Sequence, residues 1–122
     1  MNYRRTQMTK IQEPINLDQA LEEFDNDREF LMEILNGFLE NVQVQIKTLN
    51  QAISEDDYET VAQEAHSITG GANNLSAYEL GRVASELEKL ARENTLESVS
   101  ETFKQLEEEY NRLKDFITNN QI

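Results

Sequence analysis

The sequence predicts an all-α protein, an antiparallel up-down-up-down four-helix bundle with a short extra N-terminal helix. Apolar residues recur at three- and four-residue steps along most of the chain, which is the spacing of one helix face. One proline and four glycines in 122 residues leave few positions that interrupt a helix. The connections between the predicted helices are short, and short connections force sequential helices to lie antiparallel.

The first two helices are predicted from their capping residues and apolar stripes. Asn16 caps a short helix from Leu17 to Phe24. Asn26, with Glu29 three residues later, has the pattern of a capping box and opens a long helix. The apolar stripe of this long helix consists of Phe30, Leu31, Ile34, Leu35, Phe38, Leu39, Val42, Ile46, Leu49 and Ile53.

The third helix is predicted to open at Asp56, with Glu59 three residues later, and to end at Asn73 and Asn74. Its stripe consists of Val61, Ala65, Ile68, Ala72 and Leu75.

Two further helices complete the predicted bundle. Ser76, with Glu79, is interpreted as the capping box of the fourth helix, and Thr95 as the cap of the fifth. Their stripes are Leu80, Val83, Leu87 and Leu90 in the fourth helix, and Val99, Phe103, Leu106, Tyr110, Leu113 and Ile117 in the fifth.

The N-terminal residues differ in charge from the rest of the chain. Arg4, Arg5 and Lys10 are basic, and no acidic residue occurs before Glu13. We predict a flexible leader over residues 1–13 and one bundle domain over residues 14–122. No apolar run follows the basic residues as in a signal peptide, and none reaches the ~18–20 residues of a membrane helix. A cytoplasmic location is therefore expected, and a monomer is expected because the predicted bundle buries its own apolar faces.

Composition excludes several classes of function. The chain has 11 Lys and Arg against 24 Asp and Glu, a net charge of −13, which disfavours binding to nucleic acid or to an anionic membrane. With no cysteine and a single histidine, thiolate chemistry and a transition-metal site are not expected. No GxxxxGK[ST] or GxGxxG motif is present, so no nucleotide site, kinase activity or resident cofactor is predicted.

The single histidine lies in the most informative segment, residues 65–75. On a helix, His66 follows the core residue Ala65 and lies at the edge of the apolar face. Gly70 and Gly71 each cost about 1 kcal/mol within a helix. Gly70, one turn after His66, would leave the imidazole without side-chain cover, open to another protein. On spacing alone, a partly buried structural histidine remains the alternative.

This segment resembles the signature of histidine-containing phosphotransfer (HPt) domains. The family pattern is Ala-His-x-Leu/Ile-Lys-Gly and two small residues, then Asn, an aliphatic residue and Gly, and later Leu-Glu. The resemblance covers about residues 17–117. Thr69 stands where the family usually has Lys, and Ser76 where it usually has Gly. The matching residues are Ala65, His66, Ile68, Gly70, Gly71, Ala72, Asn74, Leu75, Ala77, Leu87 and Glu88.

The resemblance implies a phosphorelay intermediate. His66 would accept a phosphoryl group from the aspartate of a response-regulator receiver domain and donate it again, and a hybrid sensor histidine kinase is a further expected partner. Glu88 would hydrogen-bond the other ring nitrogen and orient the imidazole. Thr69 would offer a hydroxyl hydrogen bond instead of a lysine charge. Mg²⁺ is expected in the partner receiver, since such transfers require charge stabilisation.

The expected docking surface surrounds His66 and is less negative than the rest of the molecule. Besides Gly70, it is predicted to include Ala62, Gly71, Ala72 and Asn73.

One other class of function remains open. A helical adaptor could bind a receiver or regulator without being phosphorylated, and Thr69 in place of Lys supports this alternative. A self-sufficient enzyme is disfavoured because the nucleotide-binding motifs are missing.

Overall fold

Five α-helices and no strand make up residues 13–120, the part of the chain that the computed structural model describes. The predicted leader, except for its last residue, lies outside the described residues. None of the described helices is long and apolar enough to cross a membrane. The helices are α1 (Leu17–Glu23), α2 (Arg28–Ser54), α3 (Tyr58–Asn74), α4 (Tyr78–Arg92) and α5 (Leu96–Asn119).

The four long helices form a closed ring of neighbours. Helix α2 packs against α3, α3 against α4, α4 against α5, and α5 against α2, while α1 contacts α2. The predicted stripes supply the core, including Leu35 of α2, Ile68 of α3, Leu87 of α4 and Leu106 of α5, all buried. Phe30 departs from this pattern and is exposed. The predicted four-helix bundle with a short leading helix is confirmed.

Helix α1 lies at the end of the bundle where α3 turns into α4. The backbone N–H of Asn16 donates to the carbonyl of Ser76 in that turn, at 2.9 Å. Ile15 and Ala20 are buried. Asn16 also caps α1 as predicted, because its Oδ1 accepts from the N–H of Gln19 at 3.2 Å. The residue that caps α1 therefore joins the start of the short helix to the α3–α4 turn.

Three of the predicted helix caps belong to the turn before the helix, and these predictions were wrong by one residue. Asn26, Asp56 and Ser76 have φ values of 60°, 55° and 63°. An N-cap residue instead has extended backbone angles, and in each case it is the next residue that occupies this position. Asn and Asp also tolerate the left-handed turn that ends a helix, so the local sequence suits both roles at Asn26 and Asp56. Serine has no such preference, and Ser76 adopts this conformation at a cost.

The α3–α4 turn is a Schellman motif that has serine where glycine is most common. The N–H of Ala77 donates to the carbonyl of Ala72 at 2.9 Å, and the N–H of Ser76 to that of Asn73 at 3.2 Å. Ser76 is fully buried, and its Oγ has no hydrogen-bond partner. Its backbone therefore closes α3, while its side chain contributes strain and an unsatisfied hydroxyl.

We expect Ser76→Gly to raise the free energy of unfolding by about 1 kcal/mol. The left-handed conformation costs a residue with a Cβ about 1–2 kcal/mol, and the buried hydroxyl adds to that cost. The greater freedom of glycine in the unfolded chain offsets part of the gain. Urea unfolding measures the difference, and Ser76→Ala, which removes only the hydroxyl, is the matched control. A Gly variant no more stable than the Ala variant would show that Ser76 is unstrained.

Candidate functional site

Helix α3 places His66 at the surface of the bundle. The residue before it, Ala65, is fully buried, and a helical step of about 100° turns the next side chain away from the core. The His66 side chain is 73% exposed. The ring is therefore not part of the core. The buried residues of α3 are Val61, Ala62, Ala65, Ile68 and Ala72.

Glu88 of α4 lies beside the imidazole. Its Oε1 is 3.1 Å from Nδ1 of His66. The other oxygen, Oε2, accepts from Nε and Nη2 of Arg92 at 3.1 and 2.9 Å. The Glu88 side chain is only 18% exposed, so the carboxylate lies between the ring and the guanidinium. Arg92 was not among the predicted site residues, although a Glu and an Arg four residues apart on a helix commonly pair.

The charge of Glu88 determines which nitrogen of His66 carries hydrogen. Partial burial raises the pKa of the Glu88 carboxyl, but hydrogen bonds and charge from Arg92 and His66 outweigh burial, and the pKa lies below its ordinary value. The group is ionised at neutral pH and can only accept hydrogen bonds. Nδ1 therefore donates to Glu88, and Nε2 of a neutral ring holds the lone pair. No described residue hydrogen-bonds Nε2.

Thr69, one turn after His66, uses its hydroxyl within its own helix. Its Oγ1 donates to the carbonyl of Ala65 at 2.9 Å. A hydroxyl has one proton, so this bond leaves none to donate to a group on His66. The predicted hydroxyl hydrogen bond from Thr69 to a group on His66 is therefore not available in this structure, where the Thr69 oxygen can only accept hydrogen bonds.

The two glycines of α3 have different surroundings. Gly70 is exposed, and a Cβ added there would meet no other atom within 4 Å. A Cβ on Gly71 would lie 2.8 Å from Cε1 of Phe38 in α2. Gly70 therefore leaves open space one turn from the ring, whereas Gly71 allows α2 and α3 to approach closely. Gly71 is half-buried, and its predicted place in the docking surface stays a prediction beside this packing role.

Two residues of the predicted docking surface are buried. Ala62 is 2% exposed and Ala72 is 0% exposed, so neither side chain can contact a partner. Both lie on the face of α3 that packs into the bundle, and the close packing of α4 covers them. Asn73 is exposed, and its side chain lies over Gly81, where an added Cβ would overlap Oδ1.

The two helices of the site are closer to neutral than the whole chain. Residues 58–92 contain three basic and five acidic residues, a net charge of −2, against −13 for the full sequence. All three basic residues are on α4: Arg82, Lys89 and Arg92. In the described part of the chain, no group of three or more His, Cys, Asp or Glu side chains could hold a metal ion.

Comparisons with known proteins give the family and the fold of the chain. The family model for the Hpt domain matches residues 33–116. Among solved structures, the fold is similar to histidine-containing phosphotransfer protein B (HptB) from Pseudomonas aeruginosa PAO1, with a TM-score of 0.81 and 22% identity over 88% of this chain and 94% of that one. No curated protein sequence matches the chain.

The matched residues include all of α3 and α4, and so the positions of His66 and Glu88. The chain belongs to the Hpt domain family, and its role is phosphotransfer in two-component signalling.

Proposed function

We propose that His66 accepts and donates a phosphoryl group, exchanging it with the aspartate of a response-regulator receiver domain. One observation carries the proposal: the imidazole is exposed, Nδ1 is bound by an ionised carboxylate, and Nε2 is free. A nucleophilic nitrogen at a protein surface suits a phosphoryl donor that arrives on another protein. A hybrid sensor histidine kinase is a second source of such a donor.

The transfer step needs no proton movement. The Nε2 lone pair of His66 forms a bond to phosphorus, while the bond from phosphorus to the aspartate oxygen breaks and the carboxylate leaves with the electron pair. Nδ1 keeps its hydrogen, so the ring becomes cationic beside the Glu88 carboxylate. The reverse step regenerates the neutral ring. The receiver would supply Mg²⁺ and the donors that stabilise charge on the transferred group.

Transfer from a phosphorylated receiver tests the proposal. A receiver carrying a radioactive phosphoryl group is mixed with this chain and Mg²⁺, and the labelled residue is identified by mass spectrometry. We expect label on His66, stable in base and lost in acid as for a phosphorus–nitrogen bond. A complex that forms without transfer of label would favour the adaptor alternative. Labelling by ATP alone would instead show kinase activity.

Gly70→Leu should lower the transfer rate from a receiver by at least about 100-fold, because a small displacement of reacting groups costs that much. The open space at Gly70 accommodates the new side chain, and loss of a helical glycine stabilises the fold by about 1 kcal/mol. Gly70→Ala is the matched control, with a similar gain in stability but little bulk. Phosphoramidate, a small donor, should label all three proteins equally. A Leu variant that transfers at the wild-type rate would show that receivers do not approach over Gly70.

A further inference from the structure

A phosphoryl group on His66 would lack the positive charge that the family pattern places nearby. Such a group carries about two negative charges near neutral pH. At the position of the usual lysine stands Thr69, whose hydroxyl proton is donated to Ala65. Helix α3 contains no lysine or arginine at all. This inference rests on the proposed function. Because α3 has no lysine or arginine, any cation of this chain that faces the phosphoryl group comes from another helix.

Helix α4 holds three cations, and two of them already have partners. Arg92 donates two hydrogen bonds to Glu88, and Arg82 pairs with Glu79 at 3.1 Å. Lys89 forms no ion pair and no hydrogen bond with any described residue. Lys89 is therefore the cation of this helix that is free to bind a new anion.

Lys89 and Thr69 line the same groove between α3 and α4. Thr69 lies one turn from His66, and Lys89 directly follows Glu88, which contacts the ring. Within the groove Gly81 has no side chain and Ser85 has a small one. Glu86 is the one acidic residue that lines the groove, and it forms no ion pair with Lys89. The other lining residues are Asn73, Tyr78 and Arg82.

We propose that Lys89 binds the phosphoryl group of phosphorylated His66 and takes the place of the lysine that Thr69 replaces. The ammonium group sits on a flexible four-carbon stem, so it can reach across the groove. Arg92 is less suited to this role, because moving to the phosphoryl group would break its two bonds to Glu88. The charge-assisted contact would favour the phosphorylated state without affecting the unmodified fold.

Lys89→Gln, Lys89→Arg and the control Lys104→Gln test the assignment. Lys104 is an exposed lysine of α5, a helix that does not contact α3, so its variant loses the same charge elsewhere. Each protein is phosphorylated with phosphoramidate. The equilibrium with a receiver and the titration of the phosphoryl group by ³¹P NMR are then measured. The NMR titration separates a direct charge contact from a structural effect.

We expect Lys89→Gln to shift the equilibrium away from phosphorylated His66 by between about 3- and 10-fold and to raise the pKa of the phosphoryl group. Lys89→Arg and Lys104→Gln should resemble the wild type, and Thr69→Lys should restore the Lys89→Gln protein. If His66 is phosphorylated but Lys89→Gln matches Lys104→Gln in both measurements, the role of Lys89 is overturned and the proposed function stands. A wild-type chain that neither donor phosphorylates overturns both.

Discussion

His66→Gln is expected to accept no detectable phosphoryl group from a receiver while it keeps the fold of the wild type. Glutamine has an amide that can still donate a hydrogen bond to Glu88, but its nitrogen has no nucleophilic lone pair. The His66 ring is largely exposed and packs into no core, so the free energy of unfolding should change by no more than about 0.5 kcal/mol. Transfer of radiolabel and urea unfolding measure the two quantities.

Binding of the receiver gives the control for this variant. Because Gly70 and the rest of the surface are unchanged, His66→Gln should bind the receiver with nearly wild-type affinity. Loss of label together with retained binding would assign the loss to chemistry at the ring. Label on His66→Gln at the wild-type level would mean that a different residue accepts the phosphoryl group, and the proposed function would be wrong.

Glu88→Ala is expected to lower the rate of transfer by about 10- to 100-fold. Hydrogen bonds to charged groups contribute about 1.5–3 kcal/mol, and the bond between His66 and Glu88 has two effects on the reaction. It places the hydrogen on Nδ1 of the neutral ring, and it stabilises the positive charge that develops on the ring during attack. Rapid-quench kinetics with a phosphorylated receiver give the rate for the variant and the wild type.

Glu88→Gln separates the two contributions. A glutamine carbonyl can still accept from Nδ1 of His66, but it brings no negative charge, so its rate should fall between those of the wild type and Glu88→Ala. If Glu88→Ala transfers as fast as the wild type, the 3.1 Å contact has no part in the reaction.

The pKa of Glu88 predicts how its contribution to stability depends on pH. The folded-state pKa lies below the ordinary value of 4.5 because the bonds from Arg92 and His66 outweigh burial. A lowered pKa means that the stabilisation is fully present above pH 4.5 and is lost as pH falls through the folded-state pKa. The difference in unfolding free energy between wild type and Glu88→Ala should therefore be greater above pH 4.5 than in more acidic solution. A difference that grows in acid would contradict the assignment.

Much of the candidate site could be predicted because it depends on one helix at a time. The period of α3 places Ala65 inside and His66 at the edge, and the same reasoning places Leu87 inside and Glu88 beside it. Ala62 was misplaced because periodicity does not show how far a neighbouring helix covers the edge of a stripe. Ala72 belongs to the stripe itself, so its burial followed from the periodicity and the docking prediction for it conflicted with that. Thr69 was misjudged because its hydroxyl bonds to the backbone of its own turn, an alternative that the spacing leaves open.

The sequence by itself determined the helices, the bundle and the position of the single histidine at the edge of α3, since these follow from apolar residues repeating every three to four positions. Only the tertiary structure decided that Glu88 joins His66 to Arg92, that Phe38 fills the space at Gly71, and that Ser76 is a strained turn residue. The physical reason is that a repeat fixes the direction of a side chain around its own helix. Contacts between helices depend on the axial offset of each helix and on its distance from its neighbour. Side-chain packing across the whole core sets both quantities.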